Sequence, residues 1–143
     1  MCDMQIAFER ASFAENFLGL GLMPGDGGAW LLPRIIGSSA AAELTYTCEV
    51  LDAQWALGCG LISQLVPHDQ LIPAARKLAE RIANNPPQAL RLVKRLLRES
   101  QRARLPELLE LAAAFQALMH ESEDHAEAVT ACLEKRKAIF VGK

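Results

Sequence analysis

A ten-residue stretch near the N-terminus limits what this chain can fold into. Residues 19–28 contain five glycines and Pro24, so they are expected to form neither a regular helix nor a strand. Short apolar segments precede this stretch, and helical patterns of apolar residues follow it. The stretch therefore predicts a sharp loop between a strand-forming part and a helical part of the chain.

Short strands are predicted on both sides of this loop. The strands are predicted over residues 3–8, 12–18 and 61–66. Because side chains alternate between the two faces of a strand, Phe13, Glu15 and Phe17 are expected on one face of the second strand. Three short strands do not make a self-sufficient sheet, so they are expected to need partner strands from outside this chain.

Helical periodicity dominates the remainder of the sequence. Helices are predicted over residues 28–36, 39–48, 53–58, 70–84, 88–102, 106–120 and 123–138. Pro33 is expected to kink or interrupt the first helix, because proline lacks the backbone N–H that the helix needs. Asp52 is expected to cap the third helix, since a carboxylate can accept hydrogen bonds from its first turn.

The composition is that of a folded domain without an obvious polyanionic or membrane partner. The 143 residues are 51% hydrophobic and 22% charged, with a net charge of -2. This balance predicts a buried core and argues against nucleic acid or an anionic membrane as a general partner. Four cysteines without a C-x-x-C pair are expected to be reduced, and no metal site is predicted. The chain is expected to be cytoplasmic, while an organelle matrix stays open because a transit peptide could precede residue 1.

Seven short motifs follow one another along the chain. They read C-D-M-Q-I-A (2–7), G-L-M-P-G-D-G-G (21–28, after Phe13), L-P-R-I-I-G (32–37), A-E-L (42–44), A-Q-W-A-L-G-C-G-L-I (53–62), N-P-P-Q-A (85–89) and E-K-R-K-A-I-F (134–140). In this order and spacing they resemble the C-terminal half of the crotonase superfamily, the enoyl-CoA hydratases and isomerases. One motif would be a weak signal, whereas the ordered series is specific.

The resemblance implies an α/β, crotonase-like fold, of which this chain is the C-terminal portion, predominantly helical with a few short strands. Residues 1–66 are expected to belong to the C-terminal part of the core, and residues 67–143 to form a helical C-terminal region. Met1 is compatible with a natural short protein, a truncated gene or an expressed fragment of a longer protein.

Members of this family hold an acyl-CoA thioester so that two backbone N–H groups stabilise an enolate-like oxyanion while acidic residues move protons. The resemblance places both oxyanion segments and the first catalytic Glu upstream of Cys2. The position of the second catalytic Glu is occupied by Phe17, which cannot transfer a proton and is expected to line the substrate site. Glu15, two residues earlier, is a candidate to supply the catalytic carboxylate from a different position. The alternative is that Glu15 lies at the surface or at the rim of the pocket.

Roles are also predicted for three further residues, two of them from the resemblance. Gly25 matches the glycine whose backbone N–H helps to hold the catalytic water. Asp26 is expected to cap the helix that follows, in preference to a catalytic role. Lys135 matches a lysine that meets the CoA phosphates, and the alternative is an ordinary solvated helix end.

The resulting hypothesis is a protein that handles acyl-CoA thioesters and, when complete, hydrates or isomerises an enoyl-CoA. No cofactor is expected beyond the coenzyme A of the substrate. The family resemblance also implies a homo-oligomer, a trimer or a hexamer. The alternative is a non-catalytic truncated module that self-associates through its C-terminal helices.

The 143-residue chain by itself is expected to hydrate crotonyl-CoA no faster than background. Loss of a single oxyanion donor lowers the rate by a factor on the order of a hundred or more, and the resemblance places both donors outside this sequence. The measurement is the loss of enoyl thioester absorbance with purified protein. Turnover that Glu15→Gln abolishes would contradict this expectation and identify Glu15 as the acid–base residue.

Overall fold

The computed structural model describes residues 3–143, so Cys2 at the start of the first motif lies outside the described residues. Two compact units make up the structure, one up to Lys77 and one from Leu78 to Lys143. These units are defined by packing within each of them. The division of the family domain into residues 1–66 and 67–143 comes from the resemblance and stays a prediction.

The first unit contains short strands that pair two by two. They are β1 (Ile6–Phe8), β2 (Ser12–Phe13), β3 (Leu51–Asp52) and β4 (Gln64–Val66). β1 runs parallel to β4, with Ala7 opposite Leu65, and β2 runs antiparallel to β3, with Phe13 opposite Leu51. Strands are therefore present where they were predicted before the glycine-rich loop, but they are shorter than the apolar segments indicated.

The helices of this part of the chain enclose a small core. They are α1 (Gly28–Ile36), α2 (Ser38–Thr47), α3 (Ala53–Gly58) and α4 (Leu71–Ala83), with 3-10 turns at Leu18–Leu20 and His68–Gln70. Leu32 and Ile36 of α1 pack with Ala41 and Leu44 of α2. Gly37 separates these two helices with a φ of 83°, a left-handed backbone angle that favours glycine. The core thus fixes the direction of α1, whose first residues follow the glycine-rich loop.

Pro33 does not interrupt α1, so the expected interruption is wrong, and a kink stays as the other form of the prediction. The helix continues from Gly28 to Ile36 with the proline inside it. The missing N–H removes one hydrogen bond, that to the Ala29 carbonyl, and packing of the apolar face of this short helix compensates for it. The predicted cap at Asp52 is confirmed, since its Oδ1 accepts a hydrogen bond of 2.8 Å from the Trp55 N–H.

The second unit is a set of helices followed by an extended tail. The helices are α5 (Pro87–Glu99), α6 (Leu105–His120) and α7 (Glu123–Leu133). Phe115 of α6 is buried, and the Arg95 guanidinium of α5 lies 5.2 Å from the centroid of its ring. α7 ends at Leu133, whereas the sequence predicted a helix up to residue 138. Among the helices of residues 3–143, none has the length and apolarity needed to cross a membrane.

Candidate functional site

The segment after β2 bends away from the strand direction. Phe17 begins a helical turn, and its carbonyl oxygen accepts hydrogen bonds of 3.0 Å from the N–H groups of both Leu20 and Leu22. β2 has already ended at Phe13, so Glu15 lies in an irregular segment. The expectation that Phe13, Glu15 and Phe17 share one strand face is therefore wrong, because the turn at Phe17 replaces the alternation of a strand.

The Glu15 carboxyl lies against the first residue of α1. A Cβ atom at Gly28 would lie 3.2 Å from Oε1 of Glu15 and 3.1 Å from Oδ1 of Asp26, so a larger residue would require these side chains to shift. Asp26 lies one residue before the cap position, Gly27, and its Oδ1 accepts a 2.9 Å hydrogen bond from the Gly28 N–H, so it supports the helix start without being the cap residue. Glu15 Oε1 is buried and has no hydrogen-bond partner among the described residues. An unpaired carboxyl oxygen thus lies beside the N-terminus of α1.

The surroundings of Glu15 favour its protonated form. Burial raises the pKa of the Glu15 carboxyl above its ordinary value, and the negative charge of Asp26 raises this pKa further. Both causes act in the same direction, because low polarity and a like charge each disfavour the carboxylate. The Glu15 carboxyl therefore holds its proton to a higher pH than an ordinary glutamate does.

Phe17 and Gly25 line the same open apolar depression in the first unit. The other lining residues are Leu18, Gly21, Leu22 and Met23. Leu22 and Met23 are exposed, at 57% and 83% of their surface. Gly25 lies outside the helix, and its N–H donates to no group in residues 3–143. Phe17 and Gly25, two of the predicted site residues, thus lie in one depression. The Gly25 N–H is a hydrogen-bond donor there, and the exposed side chains of Leu22 and Met23 are apolar.

Lys135 lies in the second unit, in the turn that ends α7. Its backbone is left-handed, with a φ of 55°, although it is not a glycine. The Lys135 N–H donates to the Cys132 carbonyl at 3.2 Å, and the Arg136 N–H donates to the Ala131 carbonyl at 3.0 Å, as in a Schellman motif. Lys135 is exposed and directly follows the end of α7, so both the phosphate contact and the solvated helix end stay open as predictions.

Acidic side chains of α7 hold the segment after this turn. Glu127 accepts two hydrogen bonds from the Arg136 guanidinium, at 2.6 and 2.8 Å, and one from the Ile139 N–H at 2.9 Å. These bonds lower the pKa of Glu127 to about 2, the Arg136 contact being the largest cause. Asp124 is buried, and its carboxylate accepts from the N–H groups of Val141 and Gly142.

Comparison with known proteins identifies the family. A model described as enoyl-CoA hydratase/isomerase matches residues 1–143. The chain belongs to the enoyl-CoA hydratase/isomerase family. It is 37% identical to a crotonyl-CoA hydratase from Syntrophomonas wolfei over 142 residues, which are 99% of this chain and 55% of that protein. It is also 37% identical to a 1,2-epoxyphenylacetyl-CoA isomerase from Escherichia coli, covering 99% of this chain and 54% of the isomerase.

A solved structure agrees with this assignment. The crystal structure of an enoyl-CoA hydratase from Bacillus anthracis superposes with a TM-score of 0.96 at 35% identity, covering 99% of this chain and 55% of that one. The predicted crotonase-like fold, mostly helical with a few short strands, is confirmed. The chain spans about half the length of the curated relatives that it matches.

Some residues around the family positions could not be recognised from the sequence. Glu127 and Asp124 accept hydrogen bonds from Arg136 and from the tail beyond residue 138, whereas the sequence predicted Arg136 inside a helix and no contact for the tail; the acidic start of α7 was the available signal. Within residues 3–143, no group of three or more His, Cys, Asp or Glu side chains could hold a metal ion. Cys48, Cys59 and Cys132 are free thiols.

Glu15→Gln is expected to stabilise the folded chain at neutral pH. A raised pKa means that the protonated carboxyl stabilises the fold fully below the unfolded pKa of about 4.3, and that this contribution is lost as the pH rises through the folded pKa. Gln cannot ionise, so the variant should need more urea to unfold at about pH 7 and behave like wild type at about pH 3.5.

Glu43→Gln, on an exposed position of α2, is the matched control for the loss of one negative charge. It should leave the urea midpoint nearly unchanged at both pH values. An equal stabilisation by Glu15→Gln and Glu43→Gln would attribute the effect to net charge and contradict the desolvation of Glu15.

Proposed function

We propose that this chain forms the C-terminal part of a site that hydrates an enoyl-CoA or moves its double bond. The observation that carries the proposal is the unpaired, buried Glu15 oxygen beside the start of α1, next to the apolar depression of Phe17 and Gly25. Family membership supports the class of substrate, since the curated relatives are named as hydratases and isomerases of CoA thioesters. CoA is part of the substrate, so no separate cofactor is required.

In this proposal Glu15 replaces the acid that is absent at Phe17. A general acid works best when its pKa lies near the working pH, and both burial and Asp26 move the pKa of Glu15 in that direction. Phe17 supplies apolar surface for the acyl part of the substrate. The Gly25 N–H precedes the positive end of α1 and is suited to hold a water molecule or a developing negative charge.

Lys135 is proposed to bind a phosphate group of CoA. Within residues 3–143 its side chain forms no ion pair, and the residue is exposed. A non-glycine residue in the left-handed region costs roughly 1–2 kcal/mol relative to an ordinary backbone conformation. A lysine at such a position is consistent with a role for its side chain, because glycine would fit the turn with less strain.

Lys135→Gly is expected to weaken CoA binding without lowering the stability of the fold. Loss of a charge-assisted contact should weaken CoA binding about tenfold. Relief of the left-handed strain should at the same time leave the fold unchanged or more stable by up to about 1 kcal/mol. The measurements are an NMR titration of the 143-residue chain with CoA, which resolves weak affinities, and urea unfolding.

Lys135→Ala should weaken CoA binding equally without the gain in stability, because alanine keeps the Cβ strain. Lys77→Ala is the matched control for one lost positive charge at an exposed site. Equal CoA affinity of wild type, Lys135→Ala and Lys77→Ala would contradict the proposed contact.

Self-association is a second candidate function, favoured by apolar side chains on the helices of the second unit. Leu97, Leu109, Leu118 and Leu133 are all more than half exposed. Exposed apolar surface of this kind is typical of protein interfaces. A homo-oligomer, a trimer or a hexamer, would cover these side chains.

Light scattering of the chain at micromolar concentration is expected to give the mass of an oligomer. Leu109→Glu on α6 should lower this mass, because a charge would be buried in the interface. Val50→Glu is the matched control, since Val50 is also exposed but lies outside these helices. A folded wild-type monomer would contradict self-association.

A further inference from the structure

We propose that Arg136 and Glu127 form a positioning pair that holds Lys135 in its left-handed turn, in place to meet a CoA phosphate. This inference rests on the proposed role of Lys135 and adds residues that do not themselves touch the ligand. Arg136 and Glu127 are nine residues apart, with almost two turns of α7 and the turn that ends it between them, so their contact ties the end of α7 back to the helix.

The backbone on both sides of Lys135 is fixed. Before it, the Glu134 N–H donates to the Thr130 carbonyl at 2.9 Å. After it, the Arg136 N–H donates to the Ala131 carbonyl at 3.0 Å. With both neighbours held, Lys135 is confined to the left-handed conformation that closes a Schellman motif.

The Arg136 side chain fastens this turn to α7. Its guanidinium contacts both Glu127 oxygens, at 2.6 and 2.8 Å, and Glu134 at 2.6 Å. Paired, fork-shaped contacts of this kind restrict geometry more than a single ion pair does. Two carboxylates thus neutralise Arg136, which makes it a poor anion site and leaves Lys135 and Lys137 as the exposed cations of this segment, with Lys135 at the family position.

The tail beyond the turn is held by the same helix. Glu127 also accepts from the Ile139 N–H at 2.9 Å, so one carboxylate fixes the chain at two points after Lys135. Farther along, the buried Asp124 carboxylate accepts from Gly142, and the Gln88 side-chain amide donates to the Gly142 carbonyl at 2.8 Å. A turn that is fixed before the ligand arrives loses less conformational freedom on binding.

Charge-conserving and charge-changing variants separate positioning from simple electrostatics. Arg136→Lys keeps the net charge but loses the two-point contact, and it is expected to weaken CoA binding about three- to tenfold. Glu127→Gln removes a negative charge, so electrostatics alone predicts tighter binding of anionic CoA, whereas the positioning pair predicts weaker binding. Glu110→Gln, at an exposed position of α6, is the matched control and should bind CoA as wild type does or slightly more tightly.

Two further readouts test the mechanism by which the pair acts. In the Lys135→Ala background, Arg136→Lys should change CoA affinity little further, because the residue that it positions is gone. Amide exchange of Lys135, Arg136 and Ile139 should accelerate in Glu127→Gln and Arg136→Lys but not in Glu110→Gln. The exchange experiment needs no ligand, so it tests the pair even where CoA affinity is low.

The outcomes distinguish the inference from the proposed function. If Lys135→Ala weakens CoA binding while Arg136→Lys and Glu127→Gln match Glu110→Gln, the positioning pair is overturned and the phosphate contact stands. If Lys135→Ala has no effect on CoA affinity, the proposed contact fails and the inference fails with it. Unchanged amide exchange in both pair variants would overturn the positioning pair whatever the CoA titration gives.

Discussion

The start of α1 depends on a close approach at Gly28. A Cβ atom there would lie 3.1 Å from the Asp26 carboxyl and 3.2 Å from that of Glu15, so any other residue would require these side chains to shift. Asp26 accepts a hydrogen bond from the Gly28 N–H, whereas Glu15 Oε1 is buried and has no partner among the described residues. Burial and the negative charge of Asp26 together raise the pKa of the Glu15 carboxyl.

The second unit uses acidic residues in the opposite way. The carboxylates of Asp124 and Glu127 accept hydrogen bonds from backbone N–H groups of the tail, which they hold against α7. The pKa of Glu127 falls because its partners are cationic or polar, while that of Glu15 rises because it has lost solvent without gaining partners. The carboxyl groups of Asp124 and Glu127 thus fix the backbone of the tail, whereas that of Glu15 is left without a partner and has a raised pKa.

The sequence predicted features that local chemistry determines. The Asp52 cap and the end of α1 at Gly37 follow from residue types and spacing, and the structure agrees. The predictions for residues 15–17 and for the end of α7 were wrong because local hydrogen-bonded turns replace the regular pattern in both places. The Phe17 carbonyl accepts from the N–H groups of Leu20 and Leu22, and α7 ends in the Schellman hydrogen bonds made by the N–H groups of Lys135 and Arg136. The periodicity of apolar residues carries no information about such turns.

The family resemblance predicts an acid at position 17, where this chain has phenylalanine. Phe17 adds apolar surface to the open depression that it lines together with Gly25. The Glu15 carboxyl belongs to a residue two positions earlier, and burial and the negative charge of Asp26 raise its pKa. Because low polarity and a like charge both disfavour a carboxylate, the proton chemistry proposed for Glu15 depends on its surroundings as well as on its carboxyl group.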